Sequence, residues 1–492
     1  MKRALLFACA WLIMTVDAVS AAEGPVPGVL APASAHRSVK LGRQTVSYTV
    51  AWVPTVLRNR DGQPEATISA TSYVRDGVAD PAARPVLFAF NGGPGASSTP
   101  LHFGLLGPRR VTGAAETRKL VDNAQSLIDV ADLVLIDPVG TGFSRELHPG
   151  GGAAYWSVSG DAASVEQLIR QWLDSHHRGH SPVYIVGESY GGFRAAVLAR
   201  NIGDLNIGGV ILISPGLDFS SISEGSDLLS MFELPSMAVA ALAHGKVDAR
   251  GRTAGEVYEE ARSFAQGQLL PALAPGAELD PGVRDRLAER MSQLIGIPAK
   301  TLIDARLRLP SQDFLEQLVP GYVVGRIDTR AQAPKPDGPL IPGRDKAADD
   351  PALAMGASNI KKSAWAAAYL RDEVGVQADI DYISLTLDVN FKWNWNSGSP
   401  RVEDNVGLNP AANLATLVKR AKGSRLLLIS GLYDLATPAL YQRYAIMHAG
   451  IPLDRIEIQT LAAGHTVYED EDARPLVAAR IRSFLEHRPA SH

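Results

Sequence analysis

Cysteine is almost missing from this chain. Among 492 residues there is one, Cys9, inside an apolar segment near the N-terminus. A chain with no second cysteine cannot be stapled by internal disulfides. Long runs of one charge are missing too. Lys and Arg total 48 against 52 Asp and Glu, a formal net charge of -4, which argues against a nucleic-acid partner. The acidic stretch Glu469-Asp470-Glu471-Asp472 is short and reads as the cap of a final helix. No metal-ligand cluster stands out. His176, His177 and His180 fall near a helix end with no cysteine or acidic ligands beside them, so they read as solvated or dipole-compensating histidines. No metal and no cofactor is expected, and no internal repeat is evident.

The apolar run at residues 4–16 is too short for a comfortable membrane span. Lys2 and Arg3 precede it, and the small residues Ala18, Ser20, Ala21 and Ala22 follow. This reads as a signal peptide, residues 1–22, with an uncleaved anchor as the alternative. The mature chain would hold no cysteine. Export without disulfides fits a bacterial periplasmic or secreted protein better than a eukaryotic secreted one, with no stable membrane insertion after cleavage. With 46% hydrophobic and 20% charged residues, the chain has ample material for a large core.

What the sequence does contain is a set of loops placed after strands. Pro182-Val183-Tyr184-Ile185-Val186 reads as a buried strand, Gly187-Glu188-Ser189-Tyr190-Gly191-Gly192 follows, and a helical stretch begins at Phe193. Strand, Gly-x-Ser-x-Gly and helix form a nucleophile elbow, in which a strained turn lifts Ser189 above the sheet edge. The plain alternative is a Gly-rich turn with a bystander serine. Two later strands weigh against it. Arg425-Leu426-Leu427-Leu428-Ile429-Ser430 leads to Asp434, and Arg455-Ile456-Glu457-Ile458-Gln459-Thr460 leads to His465. Ser, Asp, His is the chain order of an α/β-hydrolase triad. A serine hydroxyl is a weak nucleophile, so His465 must take its proton. Asp434 must then hold the imidazole's tautomer and stabilise the imidazolium. After the strand at residues 85–90 comes Asn91-Gly92-Gly93-Pro94-Gly95-Ala96-Ser97-Ser98. Glycines there let backbone N–H groups face a substrate oxygen. Acyl transfer needs two such donors, and Tyr190 and Gly93 are the candidates.

These stretches, together with Asp137-Pro138-Val139-Gly140-Thr141-Gly142-Phe143-Ser144, resemble the serine carboxypeptidases. The resemblance runs from Asn91 to His465. It implies an α/β-hydrolase that removes C-terminal residues from peptides, with Ser189, Asp434 and His465 as triad and Gly93 and Tyr190 as oxyanion donors. It also implies that Asn91, the Gly92 backbone and Glu188 bind the substrate's terminal carboxylate. The chain departs from the family pattern twice. Ala96 replaces a usual cysteine, and Leu105 stands where strong carboxypeptidases carry a second glutamate.

The fold expected is α/β: a mostly parallel central sheet with an inserted helical cap. Core segments are placed at residues 23–216 and 402–492, and the cap at 217–401, where no strand series is read. Residues 255–268 form one cap helix. Asp280-Pro281 opens another, with Val283, Leu287, Met291 and Leu294 on its buried side. Phe391-Lys392-Trp393-Asn394-Trp395 fits either a pocket wall or cap core. The partner expected is a peptide with a free C-terminus. An esterase or acyltransferase using the same triad stays open, as does a non-catalytic binding protein on a hydrolase scaffold.

Overall fold

The computed structural model describes residues 26–113, 118–222, 225–335, 349–355, 358–396 and 409–486. The expected signal peptide and Cys9 lie outside the described residues, as does the cap's expected end at residue 401.

Nine strands form the central sheet: β1 (Ala33–Leu41), β2 (Gln44–Arg58), β3 (Pro64–Arg75), β4 (Val86–Phe90), β5 (Asp132–Asp137), β6 (Val183–Glu188), β7 (Ile207–Ile213), β8 (Arg425–Gly431) and β9 (Ile456–Leu461). Their spatial order is β1-β2-β3-β5-β4-β6-β7-β8-β9. The first three are antiparallel to their neighbours and the other six run parallel. Every residue of β4, β5 and β6 is buried, as strands covered on both faces require. Alternation divides them between two apolar layers. Leu87, Leu133, Val186 and Leu427 face a layer closed by helix Ala473–Glu486 through Val477, Ile481 and Phe484. Phe88, Val134, Ile185 and Leu428 face the other layer, closed by helices Val158–Ser175, Tyr190–Leu198 and Ala411–Arg420.

The block read as one helical cap divides in two. Helices Asp227–Ala243, Ala254–Phe264 and Pro281–Ile295 share an apolar cluster of their own. Asp280 caps the third, its Oδ1 accepting from Val283 N–H at 2.9 Å. Leu287, Met291 and Leu294 are buried, while Val283 is only partly so. Leu432, Leu435 and Tyr441, from the sheet side of the chain, complete this cluster. Residues 358–396 behave differently. Ala366, Tyr369, Leu370 and Val374 join the apolar layer beneath the sheet. Short antiparallel ribbons also appear where no strands were read: Tyr322–Val324 with Gln332–Pro334, and Ile360–Lys362 with Ile383–Thr386. Strands of three or four residues carry too little alternation to register as a period.

Candidate active site

Six loops converge at the carboxyl ends of the parallel strands, where ligands of open α/β sheets bind. Ser189 follows β6 with φ 58° and ψ -128°. A left-handed serine costs about 1–3 kcal/mol and persists only where its surroundings enforce it. Here Ser189 N–H donates to Ile213 O at 3.0 Å, and Ser189 O accepts from Gly192 N–H at 2.8 Å and Gly216 N–H at 3.0 Å. Gly187 is obligatory, because a Cβ there would lie 2.3 Å from Gly191 O.

Arg194 is a lone cation in the apolar helix after the elbow, and it is 1% exposed. Its Nε pairs with Asp161 at 2.6 Å and its Nη1 donates to Asn91 O at 2.6 Å. The helix after the elbow is thereby tied to the loop after β4.

Asp434 and His465 meet as the sequence predicts. His465 Nδ1 lies 2.7 Å from Asp434 Oδ2. Asp434 is fully buried, and its carboxylate also accepts from Ala436 N–H (2.7 Å), Thr437 N–H (2.9 Å) and Thr437 Oγ1 (2.8 Å). The acid is fixed before substrate arrives. Burial pulls the His465 pKa down, but the charge and hydrogen bond of Asp434, with Glu188 adding, leave it above the usual value. Ser189 and His465 line one cavity of about 1340 Å³.

Gly93 and Tyr190 line that cavity beside Ser189. The loop passes so close to the elbow that a Cβ on Gly92 would sit 2.4 Å from Tyr190 N. Backbone donors of the two segments are therefore neighbours, as an oxyanion hole requires. Residues 382–386 hold the loop in place. Thr386 N–H donates to Gly95 O at 2.8 Å and Ser97 N–H to Ser384 O at 3.0 Å. Asp137, at the end of β5, accepts from Ser98 N–H at 2.8 Å and from the Tyr382 hydroxyl at 2.7 Å.

Asn91 and Glu188 are both 3% exposed at the cavity wall. Asn91 Oδ1 accepts from Leu101 N–H at 3.1 Å, and its side chain also hydrogen-bonds Glu188. Burial pushes the Glu188 pKa up to about 7, against the pull of His465 and of hydrogen bonds from Tyr468 and Asn91. Leu105 is fully buried in the apolar core. The hydroxyl that meets Glu188 comes instead from Tyr468, three residues after His465. Its ring lies over Gly104, where a Cβ would approach Cε2 at 2.8 Å. Burial, then the Glu188 charge, holds the phenol well above its ordinary pKa, so it remains a donor.

The aromatic stretch after Phe391 serves both of its expected ends. Trp393 is buried against Tyr190 and Phe193, whereas Trp395 lines the cavity with its ring 5.8 Å from Tyr190. Sequence reasoning missed Arg194, Tyr382, Thr437 and Tyr468. Only Arg194 carried a signal: a cation in an apolar helix needs a buried partner. Among the described residues, no group of three or more His, Cys, Asp or Glu is arranged to hold a metal ion, and no helix is long and apolar enough to cross a membrane.

Fold and site together define an α/β-hydrolase fold with a serine at its strand-to-helix elbow. A solved yeast structure, the prohormone-processing carboxypeptidase Kex1(delta)p from Saccharomyces cerevisiae, shares this fold. The TM-score is 0.51 at 14% identity, over 89% of this chain and 91% of that one. Within that fold, the family model for serine carboxypeptidase matches residues 73–221. Arabidopsis thaliana serine carboxypeptidase-like 16 is 30% identical over 203 residues, 40% of this chain and 44% of that protein. Serine carboxypeptidase-like 36 is 34% identical over 146 residues, 27% and 29% of the two chains. The chain thus spans less than half the length of these curated relatives. The family match contains the glycine-rich loop after β4 and the elbow and ends before Asp434 and His465.

Proposed function

We propose that the protein is a serine-type carboxypeptidase acting through an acyl-enzyme intermediate. One observation carries this reading: Glu188, a buried carboxyl held by Asn91 and Tyr468, is adjacent in sequence to Ser189. A protonated Glu188 donates to a substrate carboxylate, and the Asn91 amide and Gly92 N–H add neutral donors. The terminal carboxylate is then bound without a fixed cation, one residue from the nucleophile.

This reading implies the following steps. His465 Nε2 takes the Ser189 proton as Oγ attacks the scissile carbonyl carbon. The oxyanion is held by Tyr190 N–H and Gly93 N–H. Asp434 stabilises the imidazolium on Nδ1. His465 then protonates the leaving amine and the C–N bond breaks, releasing the terminal residue. Water, deprotonated by His465, attacks the acyl-enzyme and frees Ser189.

The esterase or acyltransferase reading is favoured by one observation, Leu105 in the apolar core where a second acid is expected. Blocked dipeptides with a free C-terminal carboxylate, their C-terminal amides and a nitrophenyl ester separate the two. Turnover of the free acids over the amides supports the carboxypeptidase, and ester turnover alone supports the alternative. Export to a bacterial periplasm or medium is part of the proposal. Its support is the charge and apolar pattern of residues 1–22 and the lack of cysteine beyond Cys9. N-terminal sequencing of the secreted form should begin near Glu23, and a retained Met1 would overturn it.

A further inference from the structure

The cavity has a charged wall that the triad does not use. Arg110, Arg118, Lys361 and Arg474 all line it. They come from three separate parts of the chain, and none has an ion-pair partner among the described residues. Two other cations of the cavity are paired, Lys362 with Asp381 at 2.8 Å and Arg330 with Asp470 at 2.8 Å. Three of the four are nevertheless fixed. Arg474 Nε donates to Tyr468 O at 2.9 Å and Nη2 to Glu469 O at 3.3 Å. Lys361 Nζ donates to Leu353 O at 2.8 Å. The Arg118 guanidinium lies over the Trp365 ring, 5.6 Å from its centre. Arg110 and Arg474 are close enough to repel one another, as are Arg118 and Lys361. The acids on this part of the wall are Glu469, within reach of the Lys361 and Arg474 charges, Glu471, and Asp470, which also faces Arg474 but is already paired with Arg330.

Like charges held together with too few counter-charges raise the local potential and favour an arriving anion. The location says which anion. Arg474 is bonded to the carbonyl of Tyr468, and the hydroxyl of the same Tyr468 is on Glu188. The basic wall is therefore one residue away from the group that takes the substrate's terminal carboxylate. What lies there in a bound peptide is the side chain of the C-terminal residue.

We propose that this wall is the subsite for the leaving residue's side chain and that it selects an acidic one, glutamate or aspartate. The inference rests on the carboxypeptidase reading above and adds its substrate class. Cations on a half-exposed wall act through a screened field, so the effect is modest and salt-dependent.

The test uses the full protein and four blocked dipeptides that share one acyl residue and end in Glu, Gln, Leu or Lys. Gln matches Glu in shape, so the Glu-to-Gln ratio of kcat/KM isolates charge. The expected ratio is on the order of tenfold at low salt, shrinking as ionic strength rises, with Lys the poorest substrate. The double variant Lys361→Glu, Arg118→Glu should lower or invert the ratio. A variant that misfolds loses both peptides alike, so the ratio reads only the wall. A Glu-to-Gln ratio near one in the wild type, or preference for Lys, overturns the subsite while leaving the carboxypeptidase standing. Ester turnover with no cleavage of any of the four peptides overturns the carboxypeptidase reading itself, and the subsite with it.

Discussion

Two buried carboxyl groups sit at opposite ends of adjacent parts of the sheet and are treated in opposite ways. Asp132 opens β5 and is 1% exposed; Glu188 closes β6 and is 3% exposed. Asp132 is met by two cations, Arg84 Nε at 2.7 Å and Arg178 Nη1 at 2.5 Å, with Arg75 N–H adding a bond at 3.1 Å. Glu188 has a phenol, an amide and a distant threonine hydroxyl at 3.4 Å. Burial is the same and the company differs. At the amino end of the strands the chain neutralises its acid and gains a fixed corner. At the carboxyl end it surrounds the acid with neutral donors, and the carboxyl can take up or release a proton near neutral pH. A buried acid with no cation bonded to it is thus a better marker of chemistry than a buried acid alone.

The comparison can be broken most sharply at the carboxyl end. Ser189→Ala should abolish acyl-enzyme formation, with a loss of roughly 10⁴-fold or more in kcat. A fluorophosphonate should label the wild type at Ser189, and labelling of another serine would reassign the nucleophile. Asp434→Asn should cost about 10⁴-fold in kcat with little change in KM, because His465 loses its orienting acceptor. A loss confined to KM would place Asp434 in binding. At the amino end the same kind of change should leave the chemistry intact and weaken the fold. Asp132→Ala strands two guanidinium groups in the core, so urea unfolding should show a loss of about 3–5 kcal/mol. Wild-type stability would make this corner dispensable.

Two smaller effects sharpen the contrast. Peptidase kcat/KM should fall as pH rises through about 7, where Glu188 ionises and repels the substrate carboxylate. Ester hydrolysis should show only the rising limb of His465 deprotonation. Glu188→Gln keeps a donor without a titration, so the alkaline fall for peptides should flatten. Identical peptide profiles for variant and wild type would remove Glu188 from carboxylate binding. The smallest change is Tyr468→Phe. The phenol's hydrogen bond lowers the Glu188 pKa, so its loss should move the alkaline limb to higher pH by about one unit. An unmoved limb with only reduced stability would leave Tyr468 a packing residue.

The elbow, the acid and histidine loops and the glycine loop after β4 were legible because their constraints are local. An elbow needs small residues at fixed offsets from its serine, and each partner follows a recognisable strand. What the sequence hid is settled by folding in three dimensions. Tyr468 is an ordinary aromatic until Gly104 leaves room for its ring and Glu188 needs its hydroxyl. Residues 364–374 have the apolar pattern of a cap helix, and periodicity does not say which surface a helix covers. Strand β1 was missed because its residues alternate between exposed and half-buried, with little apolar contrast at an edge. Asp137 shows the intermediate case. The motif around it marked it as important, and its task of holding Ser98 and Tyr382 became visible only with the loop in place.

The cluster that knits the cap together also contains Leu432, Tyr433 and Leu435, the residues on either side of Asp434. The Tyr441 hydroxyl, from the same cluster, accepts from Leu217 and Asp218 N–H at 2.8 and 2.7 Å, where the chain leaves the sheet to enter the cap. The insertion is therefore no ornament that lineages could trade at will. A chain that exchanged its cap for another would have to rebuild the cradle of Asp434 at the same stroke. Novelty in substrate range should arise by point changes on the cavity wall sooner than by wholesale replacement of the lid.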